Sequence, residues 1–199
     1  MTRLSRRTAI FALTGGNFFA LRLIQILIGA GNCVLIYLLA RRLSPDNKIA
    51  PTIAGVCAAL YGVLAFFDAD LLMIFMTLFL VDAALLMLMR AKESGSARWT
   101  LAAGVTFGIA ALDKTNLLLF APLAAWYLAS EFSLKWKEWR WKQGFILAAG
   151  VCLMIFPITI RNYAVGKDLV LVSSNAGVNL FIGNNPEGKG IFLLPPSSG

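Results

Sequence analysis

The sequence contains no histidine. That removes the side chain most often used for acid–base catalysis near neutral pH and for metal ligation. Charge is also scarce: Asp, Glu, Lys and Arg together make up 14% of the 199 residues, against roughly a quarter in a soluble domain. Only ten residues are acidic, so carboxylate chemistry must come from a small set. Three cysteines, Cys33, Cys57 and Cys152, all lie inside apolar blocks, and buried free thiols are the expectation there. No repeat or low-complexity tract is visible. The basic N-terminal stretch, MTRLSRRTAIFALTGG, lacks both a full apolar core and a small-residue cleavage pattern, and so reads poorly as a signal peptide.

What the sequence does have is apolar length. Hydrophobic residues reach 59% and the mean hydropathy is +0.75. They fall in blocks of the length that crosses a hydrocarbon core roughly 30 Å thick. Backbone groups in lipid must pair internally, so these blocks are expected to be helices. The fold class is therefore an all-α polytopic membrane protein. The spans read as 18–40, 50–67 and 71–89, then a shallow hairpin with halves 100–112 and 116–129, then 145–160. Residues 161–199 form a polar, Gly-, Asn- and Pro-containing segment of mixed or irregular structure, with a β-like run at Leu169-Val170-Leu171-Val172.

The net charge of +8 could suggest nucleic acid, but its distribution points elsewhere. Ten of the eighteen cations fall in three loops: Arg41, Arg42 and Lys48; Arg90, Lys92 and Arg98; Lys135, Lys137, Arg140 and Lys142. Such loops belong on the cytoplasmic side. All three share that side only if the region after residue 100 goes out and comes back, turning at Asp113-Lys114. Trp136, Trp139 and Trp141 fit an interfacial belt beside the third loop. Arg3, Arg6 and Arg7 run against this topology, since they precede the first span and would lie outside. The opposite face then gathers Asp68 and Asp70, the Asp113-Lys114-Asn116 tip, and Arg161 with Asn162. Chemistry is expected on that face. Asp82, in mid-span, is costly in lipid and is expected to turn towards protein as a packing polar group.

The stretch from Pro157 to Tyr163, PITIRNY, leads into GKDLVLVSSNAGVNLFIGNNPEGKG at 166–190. It resembles the P-x-x-x-R-N-Y … N-x-G-x-N-L-x-x-G-N-N-P passage of GT-C-type membrane glycosyltransferases, the family 39-like enzymes of bacteria related to dolichyl-phosphate-mannose–protein mannosyltransferases. FFALRLIQILIGAGNCVLIYLLARRL at 18–43 resembles their ARLLQ…G…VYLLARRL span and loop. FGIAALDKTNLLLFAPLAAWYL at 107–128 resembles their G-L-A-A-L-T-R-P-N hairpin, with Lys114 at the usual arginine and Thr115 at the usual proline. The Asn/Gly passage is the specific part.

The resemblance implies transfer of a sugar from a polyprenyl-phosphate carrier to an acceptor at the extracytoplasmic face of a bacterial inner membrane. Membrane lipid and the lipid-linked donor are the implied partners; nucleic acid is not. Such a donor departs as a phosphate, so a cation beside its oxygens is needed; Lys114 and Arg161 are the cations on the right face. A carboxylate must take the acceptor's proton or hold a divalent metal that does so, with Asp70 first, Asp68 second and Asp113 third. Asn162, Asn179, Asn184 and Asn185 offer amides for sugar hydroxyls. The plainer readings are interfacial anchoring for the cations, loop polarity for the aspartates and a structural turn at Asn184-Asn185-Pro186. Two other functional classes stand beside the enzyme, a lipid-linked-sugar transporter and a non-catalytic membrane protein.

The family places its main catalytic acid in an extracytoplasmic loop after a first transmembrane helix. Residues 1–17 contain no acidic group, and the family continues with further spans after the Asn-rich passage. The expectation is that this chain corresponds to the middle of such an enzyme and does not transfer sugar unaided.

Overall fold

A computed structural model describes residues 18–61, 74–130, 141–166 and 171–172. Every regular element among them is helical: α1 (Phe18–Leu43), α2 (Ile49–Leu60), α3 (Ile74–Ser94), α4 (Ala97–Asp113), a 3-10 segment (Thr115–Phe120), α5 (Ala121–Ala129) and α6 (Trp141–Gly166). Arg22–Leu43 and α6 are long and apolar enough to cross a membrane. At 1.5 Å per residue the 26 residues of α6 extend roughly 39 Å. The chain is an all-α membrane protein.

Local chemistry sets the helix ends. The Asn47 side-chain oxygen accepts from the amides of Ile49 and Ala50 at 2.9 and 3.0 Å, satisfying two donors that the first turn of α2 leaves open. Gly95 closes α3 at φ 64°, a left-handed conformation that glycine adopts without a Cβ penalty. Its amide donates to the Ala91 carbonyl at 2.9 Å, and α4 starts two residues later. Arg41 and Arg42 occupy the last turn of α1, where cations suit the negative end of the helix dipole.

Packing fixes the directions. Arg42 at the end of α1 pairs with Glu93 at the end of α3 at 3.0 Å, and Gly31 of α1 lies against the Phe79 ring of α3. The two contacts advance in the same direction along both helices, so α1 and α3 run parallel. Asp82 lies one helical step beyond Phe79 and is half-buried. The glycine turn makes α4 antiparallel to α3.

Between α4 and α6 the backbones themselves touch. A Cβ on Gly150 would meet the Leu101 carbonyl oxygen at 2.8 Å and the Val105 nitrogen at 2.9 Å. One on Gly104 would drive into the Leu147 carbonyl, and one on Gly108 would meet Met154 Cβ at 3.0 Å. Small residues four apart permit this approach between membrane helices. The contacts advance together along both helices, so α4 and α6 run parallel. The chain must therefore return between them, and the 3-10 segment with α5 makes that return. Leu88, Ala91, Ala103, Leu128 and Leu147 form the core where α3, α4, α5 and α6 meet.

Two expectations change. Cys57 and Cys152 are exposed on helix surfaces rather than buried, and Cys33 is intermediate; all three are free thiols. In the β-like run, Leu171 and Val172 form a bend rather than a strand, because their carbonyls are taken by α6 side chains; Leu169 and Val170 lie outside the described residues.

Candidate functional site

The two ends of the bundle differ in chemistry. At one end the turns carry Arg42, Lys92 and Arg98. The Lys92 ammonium donates to the Tyr127 carbonyl at 2.6 Å and also to that of Ser130, fastening the end of α5 to α3. Gln143 donates to the Gly95 carbonyl at 2.6 Å and shares a hydrogen bond with the Thr100 hydroxyl. The Arg90 guanidinium sits 5.0 Å from the Trp99 ring centroid, a cation–π contact.

The other end holds the sequence-predicted cations. Lys114 stops α4 by adopting an extended conformation, φ −122° and ψ 91°. Its amide still donates to the Ala110 carbonyl at 3.1 Å, and its carbonyl accepts from Leu117 at 2.9 Å. This compact turn presents Lys114 and Asn116 outward, both exposed. The carboxylate of Asp113, half-buried, accepts a hydrogen bond from the Thr77 hydroxyl at 2.5 Å. The turn is thus pinned to the start of α3.

The parallel register brings the last turns of α6 to the same end. Arg161 is exposed there and Asn162 is half-buried. The Asn162 amide donates to the Val172 carbonyl at 3.4 Å, and the Thr159 hydroxyl donates to the Leu171 carbonyl at 2.8 Å. Leu171 and Val172 therefore lie against the last turns of α6.

Lys114, Asn116, Arg161 and Asn162 therefore share one end of the bundle, opposite the basic turns. Asp68, Asp70, Asn179, Asn184 and Asn185 lie outside the described residues. Among the described residues no three His, Cys, Asp or Glu side chains gather as a metal site. Reading the sequence did not reveal Thr77 as the anchor of the Asp113 turn. A threonine inside an apolar run carries no sign of its partner 36 positions away. The arrangement brings two exposed cations, one on the turn after α4 and one on α6, to the same end of the bundle.

A family profile described as dolichyl-phosphate-mannose-protein mannosyltransferase matches residues 7–160. No curated protein and no solved structure matches. The matched stretch includes Asp68, Asp70 and the Lys114 turn and ends just before Arg161.

Proposed function

The chain belongs to the dolichyl-phosphate-mannose-protein mannosyltransferase family, and we propose that it handles a polyprenyl-phosphate sugar at the extracytoplasmic face of a bacterial inner membrane, which it crosses several times. Family membership gives a glycosyltransferase-like function of the GT-C type and a lipid-linked sugar donor. The finer reading rests on one observation: Lys114 and Arg161 occupy the bundle end opposite the basic turns. The cation bias assigns those turns to the cytoplasm, so the two predicted phosphate-facing cations come out on the far side.

In the proposed reaction the bond between the sugar's anomeric carbon and the phosphate oxygen breaks. A new bond forms from that carbon to the acceptor hydroxyl oxygen. The hydroxyl proton passes to a carboxylate, for which Asp70 and then Asp68 are proposed. The lipid phosphate leaves with its extra negative charge, and Lys114 and Arg161 stabilise it as it develops. Asn162, Asn179, Asn184 and Asn185 supply amides for sugar hydroxyls. Asp113 takes a different part, since its carboxylate is engaged with Thr77 and holds the Lys114 turn in place.

Binding of a polyprenyl-phosphate sugar to the detergent-purified chain tests this reading. Lys114→Gln and Arg161→Gln should each weaken binding by roughly tenfold or more, as expected for a lost charge-assisted hydrogen bond. Unchanged binding in both folded variants would remove the phosphate-site assignment.

A further inference from the structure

A second feature lies at the basic end and is not used by the proposed chemistry. A groove of about 390 Å³ runs between α1, α3 and the returning α5, lined by Leu43, Leu88, Met89, Phe107, Leu123 and Tyr127 among others. That volume falls in the range of sites that enclose small molecules, ~300–1,000 Å³. The lining is apolar, and several of its residues also face outward: Leu43 is 72% exposed and Leu123 57%. The groove is therefore open on its lipid side.

Its basic-end mouth is cationic. The Lys92 ammonium lies 5.1 Å from the centroid of the Tyr127 ring that lines the groove. Arg42 sits between the lining residues Leu39 and Leu43 and meets Glu93 through Nη1 alone. A guanidinium has five N–H donors, so most of its fork remains for another acceptor. The described turns and helix ends here hold seven cations against two carboxylates, Asp46 and Glu93. An apolar slot capped by surplus positive charge complements an amphiphile with a hydrocarbon chain and an anionic head.

We propose that this groove binds an anionic diacyl phospholipid, one acyl chain lying along α1 and α5 and the phosphate resting beside Arg42 and Lys92. Basic pockets between helices at a cytoplasmic surface take acidic headgroups for the same reason. A sugar-carrying isoprenoid phosphate fits less well, because the cations proposed for it, Lys114 and Arg161, occupy the opposite end of the bundle. The groove thus reads as a fixed seat for a lipid of the basic-side leaflet, separate from the donor.

Retention of lipids by the detergent-purified chain, read by native mass spectrometry, tests the proposal. Phosphatidylglycerol, phosphatidylcholine and polyprenyl phosphate would be offered in competition. The expected result is one retained phosphatidylglycerol, preferred over phosphatidylcholine by roughly fivefold per engaged cation. Arg42→Gln should reduce that preference by about the same factor. Ala124→Phe, which fills the groove from inside, should abolish retention; Leu43→Trp, at its exposed edge, does so without altering the core. Equal retention of both phospholipids would mean ordinary annular lipid and would overturn the proposal. Displacement by polyprenyl phosphate, or undiminished retention in folded Ala124→Phe and Leu43→Trp, would overturn it as well. Loss of donor binding in Lys114→Gln leaves this outcome untouched, so the two sites fail independently.

Discussion

The Thr77 hydroxyl and the Asp113 carboxylate meet at 2.5 Å, joining the first turn of α3 to the last residue of α4. Lys114, the next residue, leaves the helix in an extended conformation. The pair therefore sets where the helix stops and where the Lys114 ammonium is carried. Thr77 is itself buried, so the Asp113 carboxylate is drawn partly inward while its neighbour faces out.

Replacing Thr77 with Val keeps the shape and removes the donor. Interhelical hydrogen bonds in membranes contribute about 0.6–2 kcal/mol, so the variant should unfold a few degrees earlier in detergent. Donor binding should weaken because the Lys114 turn loses its anchor, although Lys114 itself is unchanged. Binding at parental strength in Thr77→Val would show that the turn holds its position without this bond.

The α4–α6 contact predicts a sharp contrast between glycines. Gly150→Ala places a Cβ 2.8 Å from the Leu101 oxygen and 2.9 Å from the Val105 nitrogen. Backbone atoms cannot yield as a side-chain tip can, and overpacking of this kind costs about 1–3 kcal/mol. Gly166→Ala meets nothing within 4 Å and should leave stability unchanged or slightly raised. Thermal unfolding of the two variants side by side distinguishes them; equal melting would mean the helices lie further apart.

At the basic end, burial decides which polar contact matters. Gln143 is 7% exposed and Thr100 is fully buried, and Gln143 bridges the Gly95 carbonyl to Thr100. Gln143→Leu removes the side-chain donor to the Gly95 carbonyl and one acceptor of the Thr100 hydroxyl, which keeps its bond to the Ser96 carbonyl, and should destabilise by about 1–3 kcal/mol. Glu93→Gln breaks the Arg42 ion pair, whose carboxylate side is 59% exposed, and should change stability by less than about 1 kcal/mol. Chemical or thermal unfolding should rank them in that order.

Sidedness has a direct check. With Cys33, Cys57 and Cys152 replaced by Ala, a cysteine introduced by Asn116→Cys should react with a membrane-impermeant maleimide added outside intact cells. One introduced by Lys48→Cys should react only after the cells are opened. The reverse pattern would turn the bundle over and place Lys114 in the cytoplasm.

Apolar blocks were enough to recover an all-helical membrane chain, because length and hydropathy act locally along a chain. The partners of Thr77 and Gln143 were not legible. Each depends on the register between helices, and for Gln143 that register is set by glycines whose importance appears only when a second backbone arrives. The exposure of Cys57 and Cys152 was hidden for a related reason: in a bilayer the lipid-facing and protein-facing sides of a helix are both apolar, so hydropathy does not tell them apart. Gly104, Gly108 and Gly150 could be seen as small residues, yet nothing in the sequence paired them.

Because α4 and α6 lie backbone to backbone through those glycines, neither can slide or splay without the other. They behave as one strut, with Lys114 near the tip of one half and Arg161 near the tip of the other. The strut sets how far apart the backbones of α4 and α6 end, and so the base from which each exposed side chain extends.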